Sequence, residues 1–318
     1  MKAFSDAPPI RCFLSYARQD DVVMDFVTPF ATALRHYAYA DRGRELEIFL
    51  DREAIGWGDL VQPTLRAAVR STTVLIPVLT RRYFDRPYCR EELFLFYNQA
   101  FVDNVRGLLL PVVLLGADHL TEDNEDLAVQ IVVARQHRSV REAWLDGPAS
   151  PAWRRTMLAL ASEIVDNVEA AEQALLSPPP APAVDVAAVL IRFASDAEAV
   201  ITATGNVIAD FRENLGTDQT ALTPAATRFR NAARTFERQA FEADRTLRAA
   251  GASFTGKGFA DLDDLLSGTE TLLASTHRLE ASTVPIRRTM VVFREGLTAL
   301  HSGLRVVRTG AEWPNPGQ

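Results

Sequence analysis

Apolar and polar positions along the chain fall into two textures. Up to about residue 135, short apolar runs alternate with amphipathic stretches. Ile10–Tyr16 (IRCFLSY) and Leu46–Leu50 (LEIFL) have strand character. Residues 73–79 (TVLIPVL) and 107–115 (GLLLPVVLL) are the continuous apolar runs expected of strands covered on both faces. Helices are predicted over about 21–38, 60–69 and 91–101. A longer one starts with Ser150 as N-cap and Pro151 in the first helical position, and runs to about residue 176. Such alternation implies right-handed crossovers and a parallel, doubly wound sheet. Sheets of this kind take ligands in the loops at the carboxyl ends of their strands.

Beyond residue 184 the period changes to seven. Val186, Phe193, Val200 and Val207 share one helical position, and Leu190, Ala197, Thr204 and Phe211 the other. Leu222, Phe229 and Phe236 then alternate with Ala226, Ala233 and Ala240. A third segment covers about 259–279, and in a fourth Ile286, Phe293, Leu300 and Val307 alternate with Met290, Leu297 and Leu304. Breaks fall at Gly216, over 251–258 and before Pro285. This narrow seam suits a four-helix bundle or an intermolecular coiled coil, so structural, ligand-sensing and oligomerising roles all stay open. Between the two textures, Ser177-Pro178-Pro179-Pro180-Ala181-Pro182 reads as a semi-rigid polyproline linker. The chain is therefore expected to be α/β followed by all-α: a first domain over 1–176 with its core at about 8–170, a linker at 177–184, and a helical domain over 185–318.

Composition narrows the function. The 318 residues carry a formal net charge of −7, with 47% hydrophobic and 24% charged positions, as in a globular protein. Net acidity argues against nucleic acid or an anionic membrane as partner. No secretory apolar stretch follows Met1, and the longest apolar run, 107–117, is too short to span a bilayer, so a cytoplasmic location is expected. Two cysteines, Cys12 and Cys89, provide neither a disulfide framework nor a zinc site, and the five histidines are scattered, so no metal is expected. Residues 251–258 (GASFTGKG) miss the final Ser or Thr of a phosphate loop and follow a helical stretch, and read as a glycine-rich turn.

Four segments of the first domain form a set. They are Phe13-Leu14-Ser15-Tyr16-Ala17-Arg18, Ile48-Phe49-Leu50-Asp51 with Gly56-Trp57-Gly58 beyond it, the 73–79 run, and Tyr88-Cys89-Arg90-Glu91-Glu92-Leu93. Their order and spacing within an α/β pattern resemble a TIR (Toll/interleukin-1 receptor) domain over roughly residues 8–170. The resemblance implies a flavodoxin-like, five-stranded parallel sheet. Many bacterial and plant members hydrolyse or cyclise NAD+, with a catalytic glutamate in a pattern like W-C-x-x-E-L. Laid on this sequence, that pattern makes Glu92 the catalytic residue, with Tyr88 in place of tryptophan. The chemistry fits a single carboxylate. Nicotinamide leaves neutral from a cationic ring, so no general acid is needed, and a carboxylate stabilises the oxocarbenium-like transition state.

By the same resemblance, Tyr16 and Arg18 lie beside the nucleotide, with Arg18 on the pyrophosphate; packing and a surface charge are their alternatives. Residues 51–59 correspond to the loop that gates the site and meets a neighbouring protomer, with Gly56 and Gly58 giving mobility. Trp57 is a partner anchor, a base stack or a local packing residue, Leu60 an apolar wall of the site, and Cys89 a small buried residue. NAD+ is then the substrate, with no cofactor. Partners are further copies of the chain, through both domains, and a trigger ligand or protein. The implied setting is bacterial antiphage or abortive-infection defence. The alternative is a non-enzymatic scaffold or adaptor acting through homotypic TIR contacts.

Overall fold

A computed structural model describes residues 8–50, 74–102, 106–175, 186–214, 222–252, 254, 262–282 and 287–311. The chain forms two compact units, Met1–Pro180 and Ala181–Gln318. The helix expected at 60–69 and the linker at 177–184 lie outside the described residues.

The first unit holds five parallel strands in the order β2-β1-β3-β4-β5. They are β1 Ile10–Tyr16, β2 Leu46–Leu50, β3 Val74–Leu79, β4 Val112–Val113 and β5 Arg138–Ser139. This is the flavodoxin-like order, in which the direction of winding reverses between β1 and β3. All six residues of β3 are buried, as a strand covered on both faces requires.

Three departures from the sequence pattern matter for the site. The helix expected over 21–38 is two helices, α1 Arg18–Met24 and α2 Val27–Arg42. The break is at Asp25, which is left-handed at φ 45°, and the Asp21 carboxylate accepts the N–H groups of Phe26 (3.1 Å) and Val27 (2.9 Å). One helix is thus capped by a side chain from the one before it. The turn drives Phe26 inward, stacked on Phe30 at 4.8 Å and edge-on to Trp153 at 5.9 Å. The strand expected over 107–115 is reduced to β4. Arg106–Leu108 is a 3-10 turn, Leu109 makes an isolated bridge to Leu75, and Pro111, lacking a donor, interrupts the ladder. β5 has no apolar signature because both residues are exposed, as short charged edge strands are.

The remaining helices of this unit are α3 Arg81–Asp85, α4 Pro87–Val102, α5 Leu127–Val133, α6 Arg141–Asp146 and α7 Pro151–Leu175. α4 begins a turn earlier than expected, with Pro87 in its first position. At the start of α7, Ser150 Oγ accepts the Trp153 N–H at 3.0 Å, as the N-cap reading requires. Ile76 of β3 shares a cavity with Phe30, Leu160 and Ile164, whereas Ser15, one position on in the register, bonds to α4. Because successive strand residues alternate faces, α2 and α7 cover one face of the sheet and α4 the other.

The second unit consists of α8 Val186–Asn214, α9 Leu222–Ala249, α10 Leu262–Ser282 and α11 Arg287–Ala311. Its main contact joins α9 to α11; α8 packs on α9, and α10 on α11. The seam of α9 is buried as the heptads predict, at Leu222, Ala226, Phe229, Ala233, Phe236 and Ala240. α11 departs from a seam: every residue from Gly296 to Val307 is buried. Its glycines explain how. A Cβ on Gly296 would stand 2.8 Å from the Phe229 ring, and one on Gly303 2.8 Å from the Phe236 ring, so each phenyl ring of α9 occupies the place of an absent side chain. In α8, Phe193, Val200 and Val207 are buried, while Leu190, Ala197 and Thr204 of the second seam position are not, with Leu190 37% exposed.

Gly303→Ala should therefore lower stability by about 1–3 kcal/mol through overpacking. Gly205→Ala, where a Cβ meets nothing within 4 Å, should raise it by about 0.5–1 kcal/mol. Urea unfolding of the two variants checks both signs.

His301 gives a pH prediction. It is fully buried, and burial, then the Arg305 charge, push its pKa down to about 3, despite Glu270 Oε1 at 3.2 Å from Nε2. The unfolded imidazole takes up a proton near its ordinary pKa of about 6.5, while the folded one stays neutral. Stability is thus present above that pH and declines as pH falls toward 3, by up to about 1.4 kcal/mol per pH unit. The fall in urea midpoint between pH 6.5 and 4 should be steeper in the wild type than in His301→Gln.

Candidate functional site

The carboxyl ends of β1 and β3 lie where the winding of the sheet reverses, and three polar side chains meet there. Ser15, the penultimate residue of β1, points at α4 and donates its hydroxyl hydrogen to Glu92 Oε2. Tyr83 of α3 places its phenol 3.0 Å from Ser15 Oγ and 3.2 Å from the Cys89 carbonyl. With its own hydrogen committed to the carboxylate, Ser15 can only accept from Tyr83, whose single phenolic hydrogen is shared between Ser15 Oγ and the Cys89 carbonyl. Burial, then the neighbouring Cys89 and Glu92, push the Tyr83 phenol well above its ordinary value and keep it a donor.

α4 is buried continuously from Cys89 to Phe96, including Arg90, Glu91 and Glu92. Neither glutamate is an ordinary solvated helix residue; Glu92 is 3% exposed. The Arg90 guanidinium is held by both oxygens of Asp126 (2.8 and 2.7 Å), by the Phe84 carbonyl (3.2 Å) and by the Phe94 ring (5.5 Å). Asp126 is also the N-cap of α5, accepting from Ala128 and Val129. Burial alone would raise its carboxyl, but the Arg90 charge and those bonds hold it below its ordinary value.

The loop after β1 is fastened in the same way. Asp20 accepts from Thr80 Oγ1 and pairs with Arg82, and Gln19 accepts from Arg86. Thr80 in turn caps α3 by accepting the Tyr83 N–H at 3.3 Å. The first turn of α1 is thereby anchored to α3, which carries Tyr83.

The expected site residues distribute as follows. Tyr88 is 43% exposed and stands one turn before Glu92 on the same face of α4. Tyr16 is buried at the end of β1, and Arg18 is exposed as the first residue of α1. Trp57 and Leu60, with the whole gating segment 51–59, lie outside the described residues. Cys89 and Cys12 are buried and form no disulfide, and burial pushes the Cys12 thiol up to about 12. Among the described residues, no group of three or more His, Cys, Asp or Glu side chains is arranged to hold a metal. Among them, too, no helix is long and apolar enough to cross a membrane.

Ser15, Tyr83, Arg90 and Asp126 were not singled out from the sequence for these roles. Ser15 and Arg90 stand inside two of the motifs, which was the one signal present. Tyr83 and Asp126 carry no local signal, since what they do depends on partners remote in sequence.

Residues 12–146 match the family model described as TIR domain. No curated protein shows a significant match to the chain.

Asp126→Asn would remove the negative charge that Asp126 places on the buried Arg90 and should cost about 3–5 kcal/mol of stability in urea unfolding at neutral pH. The double variant Arg90→Met, Asp126→Leu should recover a large part of that loss, because an apolar pair removes both desolvation penalties.

Proposed function

With residues 12–146 a TIR domain, we propose that the chain is an NAD+ glycohydrolase with Glu92 as its catalytic residue. The observation that carries this reading is the Glu92 carboxylate held by Ser15 at the reversal point of the sheet, the place where doubly wound sheets take nucleotides. In the reaction, the bond between ribose C1′ and nicotinamide N1 breaks. Its electron pair goes to the ring nitrogen and neutralises the pyridinium. The positive charge left on the ribose is stabilised by the Glu92 carboxylate. Water then attacks C1′ and releases a proton, giving ADP-ribose; attack by a nucleophile of the same molecule gives a cyclised isomer instead. No external acid, metal or redox partner is required.

Ser15 is a positioning residue in this scheme, since it acts through Glu92. Tyr88 offers an exposed aromatic face next to the carboxylate, suited to stacking on a planar ring. Arg18 offers a charge for the pyrophosphate. TIR domains commonly self-associate, and self-association is proposed to activate the enzyme. The proposed setting is a bacterial antiphage response, in which induced activity depletes cellular NAD+ and arrests growth.

A second reading, a non-enzymatic scaffold, draws on α1. That helix buries none of its residues and exposes Val22 (73%) and Val23 (85%), an apolar pair available to a partner.

Nicotinamide release from NAD+ separates the two. Wild type should turn over, with activity rising when the chain is forced to oligomerise, and Glu92→Ala should lose at least 100-fold while keeping its fold. Ser15→Ala should lower kcat about 10-fold with little change in KM, and Ser15→Thr should restore most of it. Negligible turnover by wild type under forced oligomerisation would leave the scaffold.

A further inference from the structure

The described residues of the helical unit leave an opening. Among them, α8 and α10 flank the tight α9–α11 pair without substantial contact with each other. Between them lies a cavity of about 370 Å³, with Phe236, Leu300 and Leu304 among its lining. Its volume is in the range of small-molecule sites. Three of its apolar side chains stay strongly exposed: Ile201 on α8 at 67%, and Leu265 and Leu272 on α10 at 52% and 40%. These are the residues that would close the bundle if α8 and α10 met.

Gly268 stands in the wall of this cavity. A glycine inside a helix costs about 1 kcal/mol relative to alanine. On α11 the glycines at 296 and 303 have a reason, because a phenyl ring of α9 fills each gap. At Gly268 a Cβ would meet nothing within 4 Å. Among the described residues the missing side chain makes room for no neighbour, so a larger side chain at this position of the cavity wall has space to extend.

The chemistry of the walls defines the occupant. Thr204 and Thr269 line the cavity, but both hydroxyls are already donated within their own helices, to the carbonyls of Val200 (2.7 Å) and Leu266 (2.8 Å). The one charged residue among the described lining is Asp264, near the start of α10. A carboxylate there repels an anionic headgroup and tolerates a neutral or cationic one. A helix from a second copy needs a broad contact, about 1,200 Å² or more in total for a stable pair. A recess of this size between four helices accepts a compact molecule instead.

We infer that the helical unit binds a small molecule with an apolar body and a neutral or cationic head, in the cavity between α8 and α10. Binding is read independently of any turnover at Glu92, so failure of one reading leaves the other standing.

The test is a fluorescence titration of the full chain with N-phenyl-1-naphthylamine, a neutral apolar dye. Dodecyltrimethylammonium and dodecanoate serve as competitors below their micelle concentrations. The expected result is saturable binding at one site per chain, weakened at least ten-fold in Gly268→Leu with an unchanged far-UV spectrum. The cationic competitor should displace the dye at a concentration at least ten-fold below that of dodecanoate. Ala197→Leu, which fills the cavity from the facing helix, repeats the test if Gly268→Leu fails to fold. Absence of saturable binding, or equal binding by wild type and both filled variants, would overturn the proposal. So would a wild-type dimer in sedimentation that Gly268→Leu dissociates, since the cavity would then be a contact between copies.

Discussion

The ion pair between Arg90 and Asp126 sets the orientation of α4, and the site follows from it. A guanidinium that is 1% exposed needs a compensating charge, and Asp126 supplies it at Nη1, where the Phe84 carbonyl also accepts, with the Phe94 ring 5.5 Å from the guanidinium carbon. Residues two apart on a helix point about 200° apart. With Arg90 directed at α5, Glu92 is therefore turned to the opposite side, against the end of β1. There Ser15 is the residue whose place in the strand alternation faces α4. The position of the carboxylate thus results from a charge pair on one side of the helix and a strand register on the other.

Two forms of polar burial occur in the molecule. In the first unit, part-buried carboxylates sit at the junctions between elements: Asp126 joins α4 to α5, and Asp20 joins α1 to α3. In the helical unit buried polar groups sit on the helices that carry the tight packing, as with Arg248 and Asp244 one turn apart on α9 (2.7 Å), and with the neutral His301 on α11 facing Glu270. The first arrangement specifies which elements meet and supports a site. The second accompanies a close approach of α9 and α11 that glycine makes possible, while α8 and α10 remain apart.

The first unit separates a buried polar cluster on the sheet from an exposed surface on its first helix. The sheet and α4 fix a carboxylate at the reversal point, and α1 presents an exposed surface on a separate short helix. Asp25 stands at the break between α1 and α2. Its left-handed backbone ends α1 and allows α2 to pack on the sheet through Phe30 and Leu34, while α1 buries no residue and is held to α3 by polar contacts.

What the sequence determined by itself is what short-range chemistry dictates. The apolar runs placed β1, β2 and β3; Ser150 and Pro151 started α7; and the sevenfold repeats located the four helices of the second unit. Each depends on residues within a turn or two of one another. Only the tertiary structure decided the rest. Asp25 splits a helical pattern because Asp21 caps the following helix, β4 shrinks around Pro111, and β5 pairs through its backbone without an apolar signal. Glu92 could be picked out by its motif, but its burial and its bond to Ser15, 77 positions away, could not. The open side of the helical bundle was equally invisible, since Leu190 and Phe193 read alike in a heptad although only Phe193 is buried. Periodicity states which face of an element is apolar; what that face meets is a free-energy balance among elements remote in sequence, and only the folded chain expresses it.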